Sequence, residues 1–204
     1  LVRRSLAWGG PLAAGGSNAS YLGTKYAIDI INERGGVEGY KIKPVYVDAQ
    51  SKADVAINET ERLLSQEKVD MIMGVFSSAH CVPMAQKLET AKKFFWMNVC
   101  VSSAVLKGKN FNYSFRAQIH SDQSGEASCV FLAEQSKAKL GKDPKDLKVA
   151  VIHEDGPYGA GVAAGNESAC KKLGMQVVLK EGYAATAPDL SPLVTKLKRA
   201  RPDV

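Results

Sequence analysis

The chain has 204 residues, 45% of them hydrophobic and 24% charged, with a net charge of +6 and a pI near 9.1. That is ordinary globular composition, enough for a sizeable core in one large domain or two small ones, and it excludes a disordered chain. The basic residues are scattered as Lys92–Lys93, Lys171–Lys172 and Lys196 to Arg201, with acids between and no interleaved aromatics, which argues against nucleic acid as a partner. No apolar run reaches the roughly 20 residues of a membrane span.

After a glycine-rich stretch, Gly9 to Gly16, the apolar positions Leu22, Tyr26, Ile30 with Ala27 and Ile31 recur at spacings of three and four. This predicts a helix that stops at Gly35–Gly36. Lys41 to Val47 alternates and is rich in β-formers, predicting a strand. A second helix opens at Ser51 or Asp54 and carries Val55, Ile57, Leu63 and Leu64. Val69 to Gly74 is a short, nearly all-apolar run, as in a strand buried on both faces of a parallel sheet. A helix over Val82 to Lys92, a strand over Phe94 to Met97 and a short extended piece over Asn112 to Arg116 follow. Ser121 to Leu140 then reads as a longer helix ended by Gly141. Leu147 to His153 is a second core-like strand, and a helix from about Tyr158 to Leu173 is capped by Gly174. Met175 to Tyr183 is a strand and Leu190 to Ala200 a final helix. Strand alternating with helix throughout means an α/β fold with mainly parallel sheets.

Between Arg116 and Ser121 the chain passes through a stretch of little apolar content, and the runs on either side rhyme in their β/α order. This predicts a first lobe over 1–117, a crossover at 118–121 and a second lobe over 122–204. Both ends read as cut. Arg3 and Arg4 fall where a first buried strand belongs, and Pro202–Asp203–Val204 stops as another strand should begin, which would leave the second lobe incomplete. Cys81, Cys100, Cys129 and Cys170 lie far apart, with no C-x-x-C pair and no histidine at ligand spacing, so no metal site is expected. Buried free thiols are the leading expectation for them, with one disulfide left open.

In open parallel sheets, ligands bind at the carboxyl ends of strands, where loops and helix N-termini converge. Four loops meet that rule: Gly10 to Leu22; Gly74 to His80, with Phe76, Ser77 and Ser78; Asn98 to Ala104, with Val101, Ser102 and Ser103; and His153 to Gly159, with Tyr158. Serine hydroxyls and backbone amides at helix starts suit a carboxylate, although helix capping is an equally natural use of those serines. Enzyme readings are weaker. Gly159-x-Gly161-x-x-x-Gly165 looks like a dinucleotide fingerprint, yet His153 to Tyr158 intervene after the strand and Tyr158 occupies the pyrophosphate approach. An NAD-dependent oxidoreductase is therefore disfavoured. A serine hydrolase lacks G-x-S-x-G, and His80, His120 and His153 are scattered. His80 sits close to the candidate cleft, whereas His120 reads as a hinge or surface residue. Glu154 and Asp155, adjacent in a loop, read as solvated charges. No catalytic residue and no cofactor is expected.

The string GPLAAGGSNASYLGTKYAIDIINERGGVEGYKI and the following VDAQSKADVAINETERLL resemble the opening of the substrate-binding proteins of branched-chain amino acid ABC importers. GVFSSAHCVPMA, NVCVSSAVL, RAQIHSDQ and VAVIHEDGPYGAGV continue the resemblance in order, over residues 9–204. It implies a type I periplasmic binding protein, with two Rossmann-like lobes around a cleft. It implies a carboxylate held by Ser78 and by Val101–Ser102 with nearby backbone. It further implies an aromatic cover at Tyr158 and a side-chain pocket near Tyr21 or Leu22, with Phe76 and Ser77 alongside. The implied partners are a small-molecule ligand and an inner-membrane ABC permease, the location periplasmic, and the state monomeric. A ligand-sensing subunit for amides is the alternative. This sequence departs from the family pattern in having Gln50 and Ser77 where several relatives carry a disulfide. The acid that pairs with an amino-acid ammonium, and two of three hinge crossings, would lie beyond residue 204.

Overall fold

The computed structural model describes residues 16–204; the expectations for Arg3, Arg4 and most of the Gly9 to Gly16 stretch fall outside them. Two compact units result, one running through Cys100 and resuming at Val105–Gln118, the other made of Val101–Ala104 and Ile119–Val204.

In the first unit, α1 (Asn18–Glu33) gives way at Gly35 and Gly36, both with positive φ, where a side chain would be strained. Then come α2 (Ala53–Ser65), β1 (Met71–Met73), α3 (Ser78–Thr90), β2 (Phe94–Met97) and β3 (Ser114–Arg116). The three strands form a parallel sheet in sequence order, with Met73 beside Trp96 and Met97 beside Arg116. Leu63, Val69, Ile72, Met84, Leu88, Phe95 and Met97 pack its core. β2 alternates, with Phe95 and Met97 buried and Phe94 and Trp96 exposed. In β1 only Ile72 is fully buried, so that strand is less enclosed than its apolar run suggests.

The strand expected over Lys41 to Val47 does not form. Its apolar members are nevertheless used, since Val47 and Ala49 are buried and Val45 packs against the same core. Burial fixes their direction, but a strand also needs a neighbour to complete its ladder. Among the described residues none pairs with this stretch. Instead Ile42 exchanges hydrogen bonds with the Asn32 side chain, its amide donating to Oδ1 at 2.7 Å and its carbonyl accepting from Nδ2 at 2.8 Å.

In the second unit, α4 (Ser121–Leu140) starts with reciprocal capping by His120 and Gln123 and ends at Gly141 in the left-handed region. β4 (Lys148–Glu154), α5 (Pro157–Lys172), β5 (Gln176–Tyr183) and α6 (Ser191–Ala200) follow. β4 and β5 pair in parallel with one register shift at Val149/Ala150. On the other edge of β4, Asp203 donates its amide to the Lys148 carbonyl at 2.7 Å, and Ala150 donates to Val204 at 2.8 Å, so the last residues lie along β4. α4 and α5 run side by side with glycines between them. A Cβ on Gly161 would collide with the Ser121 hydroxyl, and one on Gly165 with the Asp122 backbone. Of the glycines in the apparent dinucleotide fingerprint, Gly161 and Gly165 serve helix packing and Gly159 gives room to the Glu154 backbone.

Candidate functional site

Parallel pairing of β1 with β2 sends the two following loops out at the same end of the sheet. The loop after β1 is tightly turned, with Gly74 at φ 109° and Val75 at φ 49°, a value rare for a β-branched residue. Phe76 lays its ring on Gly16, where a Cβ would come within 2.7 Å of Cε2. Ser77 caps α3, its hydroxyl accepting from the Ala79 amide at 3.3 Å. Ser78, in the first turn, is buried. Tyr21 of α1 sits edge-on to Tyr46 with ring centroids 5.2 Å apart. Next to Ser78, His80 is only 2% exposed, and its Nδ1 has no partner among the described residues. Burial holds its pKa down, and a hydrogen bond to the Ser51 backbone only partly offsets this.

The loop after β2 is fastened to the loop after β1. Cys100 and Cys81 form a disulfide with Cα atoms 6.1 Å apart, so the expectation of four free thiols gives way to one bridge and two buried thiols, Cys129 and Cys170. The Cys100 amide points to the Phe76 carbonyl at 3.4 Å, and the Arg116 guanidinium donates to the Cys100 carbonyl at 3.1 Å. Neither the bridge nor Arg116 was singled out from sequence. The available signal was position: each cysteine lies a few residues beyond one of two consecutive short strands.

Val101–Ala104 belong by their contacts to the second unit, whereas the sequence boundary placed them in the first lobe. Hydrogen bonds account for this. Ser121 donates its amide to the Val101 carbonyl at 2.7 Å and accepts from the Ser103 amide at 3.1 Å. Ser102, fully buried, donates its hydroxyl to the Pro157 carbonyl at 2.8 Å and accepts from the Ala104 amide at 3.3 Å. The next residue after Pro157 is Tyr158, half exposed in the first turn of α5. Ser102 and Tyr158 thus fall in one unit, and Phe76, Ser77, Ser78 and Tyr21 in the other. His153 turns its Nδ1 to the Glu154 carbonyl at 2.8 Å, and Glu154 accepts from the Gly156 amide at 2.8 Å, so both shape the loop before α5.

Among the described residues, no cluster of His, Cys, Asp and Glu is arranged to hold a metal ion, and no helix is long and apolar enough to cross a membrane. Several basic groups are matched by acids, Lys87 with Glu61, Lys171 and Lys180 with Glu167, and Lys196 with Glu181. A shallow groove between α2 and α3, lined by Ile57, Leu64, Pro83 and Thr90 among others, includes none of the strand-end loops.

A family profile described as periplasmic binding protein matches residues 7–204. The chain belongs to that family. It is 37% identical over 195 residues to Leu/Ile/Val-binding protein homolog 7 of Brucella suis biovar 1 (strain 1330), an overlap of 96% of this chain and 48% of the relative. The fold matches that of a leucine-binding protein, LivK, from Thermotoga maritima, with a TM-score of 0.83 at 22% identity, covering 100% of this chain and 55% of that one. It also matches an R. palustris ABC-transporter solute-binding protein in complex with 4-hydroxybenzoate, with a TM-score of 0.79 at 21% identity over 99% of this chain and 52% of the other. The chain thus spans about half the length of the relatives it matches. Its α/β architecture with parallel sheets is that half of the family fold.

Proposed function

We propose that this chain is the ligand-capturing part of an ABC-importer solute-binding protein, and that it takes a small carboxylate-bearing molecule in a cleft between its lobes without chemical turnover. The observation that carries the reading is the buried Ser78 beside the Ser77 cap, at the start of α3 and the carboxyl end of β1, in a member of this family. The ligands named for two structural matches, leucine and 4-hydroxybenzoate, share a carboxylate and an apolar remainder. Hydroxyl and amide donors at a helix start satisfy carboxylate oxygens without a counter-ion.

In this reading the Ser78 hydroxyl and neighbouring amides hold the carboxylate, joined by the backbone of Val101 and by Ser102. Ser102 has one hydroxyl proton, already given to Pro157, so it must exchange that partner for the ligand. Phe76 and Tyr21 bound the apolar part of the ligand and Tyr158 covers it. Closure would follow from extra contacts made only in the closed state, which a membrane permease then reads. The location would be extracytoplasmic and the protein monomeric.

Replacing Ser78 by Ala should leave a buried oxygen of the ligand short of a donor, at a cost of about 1.5–3 kcal/mol. That is a loss of affinity on the order of 10- to 150-fold. Calorimetry on the full-length protein with L-leucine and benzoate measures it, after a thermal-shift screen that also includes short amides. Unchanged affinity in Ser78→Ala would remove this serine from the site.

A further inference from the structure

The Cys81–Cys100 bridge joins the start of α3 to the loop after β2, at the point where the candidate ligand groups begin. Cys81 lies in the first turn of α3, three residues after Ser78, and Cys100 immediately precedes Val101 and Ser102. Both cysteines are fully buried at the edge of a core that already contains Leu63, Ile72, Met84, Leu88 and Phe95.

The conformations so held are not ones the chain favours. Cys100 has φ 50° and Val75 has φ 49°, both in the left-handed region that non-glycine residues rarely enter. Such conformations persist only when the surroundings over-determine them. Here the over-determination is visible. The Gly74 amide donates to the Trp96 carbonyl at 3.0 Å, the Cys100 amide meets Phe76, Arg116 grips the Cys100 carbonyl, and the disulfide closes the set.

We propose that the Cys81–Cys100 disulfide is a positioning element of the ligand site, holding the first turn of α3 and the 98–100 segment in their ligand-ready arrangement. The proposal rests on the solute-binding reading above and adds to it a covalent device that sets affinity. Cutting the bridge frees each loop to relax toward ordinary φ values. Apparent Kd rises in inverse proportion to the fraction of molecules still competent.

The test compares the full-length protein with Cys81→Ala/Cys100→Ala, whose side chains suit the apolar surroundings. Binding of L-leucine and of benzoate is measured calorimetrically, well below the melting temperature of both proteins. If about a tenth of the molecules keep the ready arrangement, affinity falls about tenfold. Treating the folded parent with a phosphine should reproduce that loss: the phosphine becomes its oxide with oxygen from water, and the disulfide takes up two electrons and two protons to give two thiols. The same treatment should leave the double variant unchanged. Hydrogen–deuterium exchange over residues 74–80 and 98–104 supplies a readout that needs no ligand, and it should accelerate in both segments together. A lower melting temperature with unchanged affinity and unchanged exchange in these segments would reduce the bridge to a general staple and overturn the proposal. If the parent binds neither probe, the solute-binding reading for those ligands fails, while the exchange measurement still decides whether the bridge orders the loops. If the double variant does not fold, the single variants Cys81→Ala and Cys100→Ala, each of which breaks the bridge, carry both measurements.

Discussion

Gly125 and Gly23 are both helical glycines, and the same substitution should move stability in opposite directions at the two positions. At Gly125 in α4, an added Cβ would overlap the Val162 carbonyl oxygen and stand 2.7 Å from the Asn166 nitrogen and 3.0 Å from the Gly165 carbonyl carbon. All three are backbone atoms of α5, so no side chain can swing aside. To bring the Asn166 nitrogen from 2.7 Å to the 3.4 Å at which ordinary contact begins, α5 must retreat by at least about 0.7 Å, and by more to clear the nearer Val162 oxygen. That retreat loosens the buried Ala163 and Cys129 and stretches the Asn166 Nδ2 bonds to the Gly125 carbonyl at 2.9 Å and to the Ser128 hydroxyl at 2.6 Å. Overpacking of this kind costs about 1–3 kcal/mol, against a helix-propensity gain of about 0.8–1 kcal/mol for alanine, leaving Gly125→Ala less stable by up to about 2 kcal/mol. At the exposed Gly23 of α1, nothing lies within 4 Å of the added Cβ. There the propensity term stands alone, and Gly23→Ala should gain about 0.5–1 kcal/mol. Urea denaturation followed by far-UV circular dichroism reads both variants against the parent. Shifts of the same sign for the two would refute the close-approach argument.

The Cys170 thiol is pushed up to about 12, first by burial and then by the adjacent Cys129 sulfur. At pH 8 only about one molecule in ten thousand then carries the Cys170 thiolate, so a thiol reagent should label Cys170 slowly in the folded protein, and burial shields Cys129 from the reagent as well. Both should react on denaturation, and fast native labelling would contradict the burial. Glu167 is held down to about 2 by hydrogen bonds from Lys171 and Lys180, against an ordinary 4.5. A depressed carboxyl pKa contributes stability that is complete above pH 4.5 and fades as pH falls toward 2. Glu167→Gln should therefore flatten part of the stability loss between those values, and identical acid profiles for variant and parent would show that the two lysines do not matter to folding.

What could be read in advance was whatever is local in sequence. α4 ends at Gly141 in the left-handed region, and that limit follows from capping chemistry alone, whereas the reciprocal capping by His120 and Gln123 at its start was not read from sequence. The short apolar runs that mark β2 and β4, Phe94 to Met97 and Leu147 to His153, likewise need no knowledge of partners. Lys41 to Val47 misled because alternation reports burial, and burial was present, whereas a ladder depends on a neighbour that no short window reveals. The disulfide was hidden for the same reason: nineteen positions separate Cys81 from Cys100, and only the pairing of β1 with β2 brings them together. Ser102 could be recognised as a loop hydroxyl, but its commitment to the Pro157 carbonyl is a tertiary fact. The sequence boundary near 117 could not divert Val101–Ala104 to the second unit, because that depends on the Ser121 contacts.

α3 is anchored near both of its ends. Cys81 is bonded in its first turn, and at its far end the Glu89 carboxylate receives the Asn112 amide at 2.7 Å and the Tyr113 amide at 2.9 Å, where the chain enters β3. One residue inserted between those anchors would rotate Glu89 by about 100° and lift it about 1.5 Å, taking its oxygens away from both amides. The helix therefore works as a ruler of fixed length. Insertions and deletions should be accommodated in the exposed turn around Gly108, and a single added alanine within 82–88 should cost more than several glycines spliced in there.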